Sequence, residues 1–153
     1  MAASGKSDFG TTYFACWKPT ARGHVLGTNT GGAFVTDVFL RDFAVSGRYV
    51  AFHLPGRGDQ NYDRFVSVDA RSGHVLRDSG RIETEPQTSV LSSLVVSRTG
   101  AIAWYQAGVL RAVDRAGQRT LAVDAGGPIT AVRFRGLTLY WKQGASEHSA
   151  PLR

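Results

Sequence analysis

The sequence predicts an all-β protein of about three four-stranded antiparallel units, from three observations. The tetrapeptide Gly-His-Val-Leu occurs at 23–26 and again at 73–76, each time closing an alternating strand–turn–strand phrase. A second phrase, in which a glycine precedes a short run apolar on both faces, recurs around Gly47, Gly100 and Gly136. No window sustains a helical period.

Taken along the chain, residues 1–10 carry no strand or helix pattern and read as a disordered N-terminus, leaving 11–152 as a single repeat domain. Ser4-Gly5-Lys6-Ser7 matches the end of a phosphate-binding loop, but the leading glycine, the preceding strand and the following helix are missing. The first hairpin phrase is YFACWKPTARGHVL, the second RFVSVDARSGHVL, and a weaker third is VLRAVDRAGQRTL, where VDRAG echoes VDARSG. In each, period-two apolar residues flank a polar turn whose glycine supplies positive φ.

Between the hairpins lie FAVSGRYVAFHL, VVSRTGAIAWYQ and VRFRGLTLYWKQ. Four residues before each glycine stands an apolar residue (Phe43, Val96, Val132), and five after it an aromatic (Phe52, Tyr105, Trp141). The two sets are expected to be equivalent core positions. EPQTSVLSSLVVS is the best helix candidate, yet its serines and β-branched residues favour a strand. The closing ASEHSAPLR has the length for one more strand. Roughly ten to twelve strands are expected. A hairpin plus a glycine-centred pair makes a four-stranded unit in the size range of a propeller blade.

These phrases, GxxΦΦ-aromatic followed by VSVDARSGHVL, resemble blades of TolB-like and WD40-like β-propellers. More closely, they resemble short Arg-rich propeller proteins of actinobacteria, from Thr11 to about Leu152. The Gly-His and Trp-Asp signatures of WD40 blades are absent, so the interactions of that family do not transfer. The resemblance implies a propeller-type fold and is compatible with a secreted or cell-envelope protein whose signal has been trimmed. The chain opens on an outer hairpin and closes on an inner pair, giving about three blades where propellers have four to eight. A homodimer completing a six-bladed ring is one expectation, and a fragment of a longer propeller or an open three-sheet variant are the others.

Composition narrows the function classes without selecting one. The chain has 153 residues, with 18 basic against 12 acidic side chains, a net charge of +6 and a pI near 10. Its arginines are scattered, only Arg133 and Arg135 sharing one strand, which argues against nucleic acid as a partner. Cys16 is the sole cysteine and excludes an intrachain disulfide. No cofactor motif, signal peptide or membrane-spanning run is present.

The longest irregular stretch, Leu54–Arg64, contains Asp59, Asn61 and Asp63, an alternating series that can gather oxygens around calcium. The glycine and glutamate an EF-hand needs further on are replaced by Arg64 and Ala70, so a solvated loop competes with that reading. Arg57-Gly58-Asp59 matches the tripeptide that adhesion proteins present to integrins, although the glycine-rich turn explains it without a partner. Trp17, Arg57 and Tyr62 are the surface-binding candidates. His24 and His74 occupy matching repeat positions and read as strand residues, and no nucleophile–base motif occurs. The reading is a non-catalytic binding or scaffold module with a protein or glycan partner. A hydrolase or lyase with its site in a propeller channel is the alternative, by analogy of fold alone.

Overall fold

Alternating runs, most of them four to eight residues and each cut by a turn, have the wrong period and too little length for an amphipathic helix and pair across the turn instead. The computed structural model describes the backbone of 2–7, 10–17, 22–29 and 41, and backbone and side chains of 42–56, 61–84 and 90–153. Among the described residues are fifteen strands and one 3-10 turn, Asp124–Gly126, with no α-helix. The first sheet orders β1 (Ala2–Ser7), β2 (Gly10–Trp17) and β3 (Arg22–Asn29). The second orders β4 (Arg41–Ser46), β5 (Tyr49–Gly56), β6 (Tyr62–Asp69) and β7 (Val75–Asp78), and the two-residue β8 (Ile82–Glu83) also pairs with β6. The third is β9 (Leu91–Val96), β10 (Ile102–Gln106), β11 (Val109–Asp114) and β12 (Gly117–Val123). The fourth is β13 (Ile129–Arg135), β14 (Thr138–Gln143) and β15 (Ser146–Pro151). Every pairing is antiparallel and no sheet closes on itself.

All six repeat phrases fold as hairpins: β2–β3, β6–β7 and β11–β12 for one kind, β4–β5, β9–β10 and β13–β14 for the other. Beyond the twelve strands of these hairpins are β1, β8 and β15; β15 falls in ASEHSAPLR, the stretch with the length for one more strand, whereas β1 lies within residues 1–10, which read as a disordered terminus. The echo VDARSG/VDRAG is a shared turn device. Asp69 Oδ1 accepts the Arg71 N–H at 2.9 Å, and Asp114 Oδ1 accepts the Ala116 N–H at 2.8 Å.

The three glycine phrases are not alike. In β4–β5 and β13–β14, Gly47 (φ 60°) and Gly136 (φ 63°) open two-residue turns with the glycine first. In β9–β10 the loop is longer, running from Val96 to its partner Ile102, and Gly100 (φ 80°) ends it. Phe43 therefore faces Phe52 across its hairpin, while Val96 faces Ile102 and Tyr105 faces Ser93. The expected equivalence holds in part. Phe52, Trp141 and Val96 are buried; Tyr105 and Val132 are half-buried, and Phe43 is 41% exposed.

Sheets two, three and four stack with their first strands side by side, β4 along β9 and β9 along β13. Between the second and third sheets lie Ala51, Phe65, Val96, Ile102, Trp104 and Val113. Between the third and fourth lie Ala103, Leu110, Ala112, Ile129, Leu139, Trp141 and Leu152. β10 explains its doubly apolar sequence: Ile102 and Trp104 face one neighbouring sheet, Ala103 the other.

Candidate functional site

Each first strand of the stacked sheets carries a bulge, where an extra residue re-aims a side chain. The register breaks between Arg41 and Phe43 in β4, opposite Tyr105/Gln106 in β9, and between Thr130 and Arg133 in β13. Asp42 (φ 52°) and Ala131 (φ 55°) occupy the left-handed region, rare for residues with a Cβ. The bulges of β4 and β9 border one open groove, lined by Asp42, Phe43, Leu91, Ser92, Ser93 and Leu94, of about 160 Å³.

Behind the groove lies a buried polar cluster. Asp63, with no exposed surface, faces His53 Nε2 at 2.7 Å through Oδ1 and accepts from Gln106 Nε2 through Oδ2. Three strands supply it: β5 gives His53, β6 Asp63 and β10 Gln106, so the cluster ties the second sheet to the third. The imidazole stacks on Phe65 (centroids 4.8 Å apart), which stacks in turn on Trp104 (4.4 Å). With Nε2 turned to Asp63, Nδ1 makes no hydrogen bond and stands 3.7 Å from Asp42 Oδ2. His53 thus lies between a buried carboxylate and one at the groove wall. A molecule in the groove meets Asp42, Ser92 and Ser93; His53 is 3% exposed.

On the opposite face of the second sheet a hollow of about 190 Å³ is lined by Phe52, Leu54, Val66 and Val68 and edged by Arg64. Arg64 grips Asp78 with two donors, Nε at 2.9 Å. That pairing holds the Asp78 carboxyl below the usual carboxylate range against its partial burial, helped by the Gly80 N–H, and raises Arg64 in turn. Elsewhere burial, then the Asp124 carboxylate that accepts from its hydroxyl, pushes the Tyr105 phenol up. Both hollows fall short of the roughly 300–1,000 Å³ that encloses a small-molecule ligand.

Of the sequence candidates, the structure describes the side chains of Asn61, Tyr62 and Asp63. Trp17 ends β2 with its side chain outside the described residues, and Arg57 and Asp59 lie outside them altogether. Tyr62 opens β6 with the Arg81 guanidinium over its ring at 4.8 Å, and Asn61 accepts the Thr84 N–H through its backbone carbonyl at 3.1 Å. Asp63, expected in a polar loop, lies inside the sheet stack. Asp63, Phe65 and Ser67 form the inward face of β6, and two polar residues of three disguise that face in a hydropathy reading. Among the described residues no three His, Cys, Asp or Glu side chains are placed to hold a metal ion, and no helix is long and apolar enough to cross a membrane.

Asp42, His53 and Gln106 were not singled out from sequence as site residues. The one available signal was a histidine and a glutamine within otherwise apolar strands, at Tyr49–Leu54 and Ile102–Gln106. Comparison with known protein families, curated proteins and solved structures finds no match to this chain.

Proposed function

We propose that the chain is a non-catalytic binding or scaffold module built from propeller-type blades, with the groove between β4 and β9 as its recognition site. The observation that carries this is the side-by-side alignment of β4, β9 and β13, with a bulge in each. First strands gathered side by side are what propeller blades bring together around a central channel. The groove is lined by Asp42, Ser92 and Ser93 beside Phe43, Leu91 and Leu94, a set suited to hydrogen-bonding the hydroxyls of a glycan or the amides of a peptide.

A hydrolytic reading rests on the Asp42–His53–Asp63 series. It is the weaker reading, because His53 is buried and hydrogen-bonded to Asp63 with no nucleophile bonded to its other nitrogen. Glycan and peptide arrays probed with the parent and with an Asp42→Ala/Ser92→Ala double variant test the proposal. The expected result is a set of ligands retained by the parent and lost by the variant. Identical array profiles would remove the groove as a binding site. Turnover of chromogenic esters, phosphates or glycosides that disappears in His53→Gln would replace the non-catalytic reading with the hydrolytic one.

A further inference from the structure

The outward face of the fourth sheet differs from the faces that meet inside the stack. Leu139 and Trp141 of β14 point into the core, so Thr138, Tyr140 and Lys142 point the other way. Register places Arg135 opposite Thr138, Arg133 opposite Tyr140 and Thr130 opposite Lys142. Residues scattered over ten positions of sequence thus become one patch of three cations around an aromatic ring. Arg135 lies over the Tyr140 ring at 5.5 Å, and Glu147, the one carboxylate of this face among the described residues, pairs with Arg133 at 2.7 Å.

We propose that this face binds single-stranded nucleic acid, at a surface separate from the groove between β4 and β9. Charge complementarity gives the class: the patch keeps an excess of positive charge after the Glu147 pair, on a chain of net charge +6. Geometry selects the polymer. Arg133 and Arg135 are two residues apart on one strand, about 6.8 Å, close to the length of one extended nucleotide. Guanidinium forks match phosphate oxygens, and Arg135, held over the Tyr140 ring, offers a base a cationic plane for stacking. A second copy of this chain is a poor occupant, because covering the face would desolvate its arginines and lysine.

Fluorescence anisotropy with a short labelled oligothymidylate tests the assignment. Binding is expected to weaken with salt with a log–log slope near −2, about −0.7 for each of three contacted phosphates. At about 0.1 M salt, Arg133→Gln/Arg135→Gln is expected to lose roughly 25-fold in affinity, two contacts' worth of released counterions. Arg98→Gln/Arg115→Gln removes equal charge from exposed turns of the third sheet and is expected to leave affinity nearly unchanged. Glu147→Gln frees Arg133 and is expected to tighten binding, a gain that a folding defect cannot imitate, whereas Asp124→Asn, an equal change in charge, is not. Tyr140→Ala is expected to weaken the oligonucleotide but not a heparin fragment.

Equal losses in the two arginine pairs would overturn the proposal. So would a Tyr140→Ala effect that is the same for heparin and oligonucleotide, which would make the patch a general polyanion surface. Sedimentation at twice the 16.5 kDa chain mass, abolished by Arg133→Gln/Arg135→Gln, would identify a second copy as the occupant and likewise overturn it.

Discussion

Asp63 shows how one side chain changes meaning once its strand is placed. In sequence it closes an acidic series beside a glycine-rich stretch; in the structure it is sealed between two sheets with His53 and Gln106 on its two oxygens. Removing it leaves two buried polar groups without their partner, so Asp63→Ala is expected to cost about 2–5 kcal/mol, at about 1–3 kcal/mol for each buried group left unsatisfied. Urea unfolding followed by tryptophan fluorescence measures this as a lower midpoint with an unchanged slope. A cost below about 1 kcal/mol, the worth of an exposed pair, would mean that the carboxylate is solvated and the cluster misplaced. Asp63→Asn keeps one acceptor oxygen and should fall between Ala and the parent.

At the scale of the element, the hairpins were legible because a turn and its flanking alternation are local. What the glycine phrases concealed was the position of the glycine within its turn. Gly47 and Gly136 begin two-residue turns, whereas Gly100 ends a longer one, and a Cβ there would come within 2.6 Å of Leu76 Cδ1 on β7. Loop length shifts the register of β9 against β10 and moves Tyr105 out of the site that Phe52 and Trp141 share. Trp141→Ala and Phe52→Ala are accordingly expected to cost about 3–5 kcal/mol each. Tyr105→Ala should cost less than half as much, since its ring is half-buried and its hydroxyl meets Asp124 near the surface. Denaturant melts of the three variants check the order; equal losses would restore the equivalence that the phrases suggest and contradict the register.

At the scale of the molecule, Asp114 clips the last sheet to the third. Its Oδ2 accepts the Arg153 N–H at 2.9 Å, Arg119 grips both oxygens at 3.0 Å and also reaches the Pro151 carbonyl, and the Arg115 N–H bonds the Arg153 carbonyl. Burial pushes the Asp114 carboxyl up, but Arg119 and the N–H groups of Arg153 and Ala116 pull harder, leaving it below its ordinary value. Asp78 is lowered by Arg64 in the same sense. Both carboxylates stay ionised in the folded chain at pH values where the unfolded chain has begun to protonate. Their contribution is complete above the unfolded carboxylate value near 3.9 and lost as pH falls through the lowered folded values. The melting temperature should therefore decline from about pH 5 downward. Asp114→Asn should melt lower at neutral pH and show a shallower acid decline, as measured by calorimetry across the pH series. A parallel decline in parent and variant would assign the acid limb to other groups.

The all-β class, the six hairpins and the turn carboxylates Asp69 and Asp114 were determined by the sequence alone, because each depends on residues within one turn and its two strands. The stacking of β4, β9 and β13, their bulges, the His53–Asp63–Gln106 cluster and the basic face of β13 and β14 were decided only in the tertiary structure. The stacking and the cluster join residues whose separation along the chain says nothing about their distance in space, and which face of the β13–β14 hairpin points outward depends on the sheet packed against the other face. His53 and Gln106 are brought to one carboxylate by two sheets packing face to face. Arg133, Arg135 and Lys142 become one charged surface because pairing sets the two arginines opposite Tyr140 and Thr138, on the side that alternation along β14 gives Lys142. Composition records how much charge a chain carries, and only the fold sets which side of a sheet receives it.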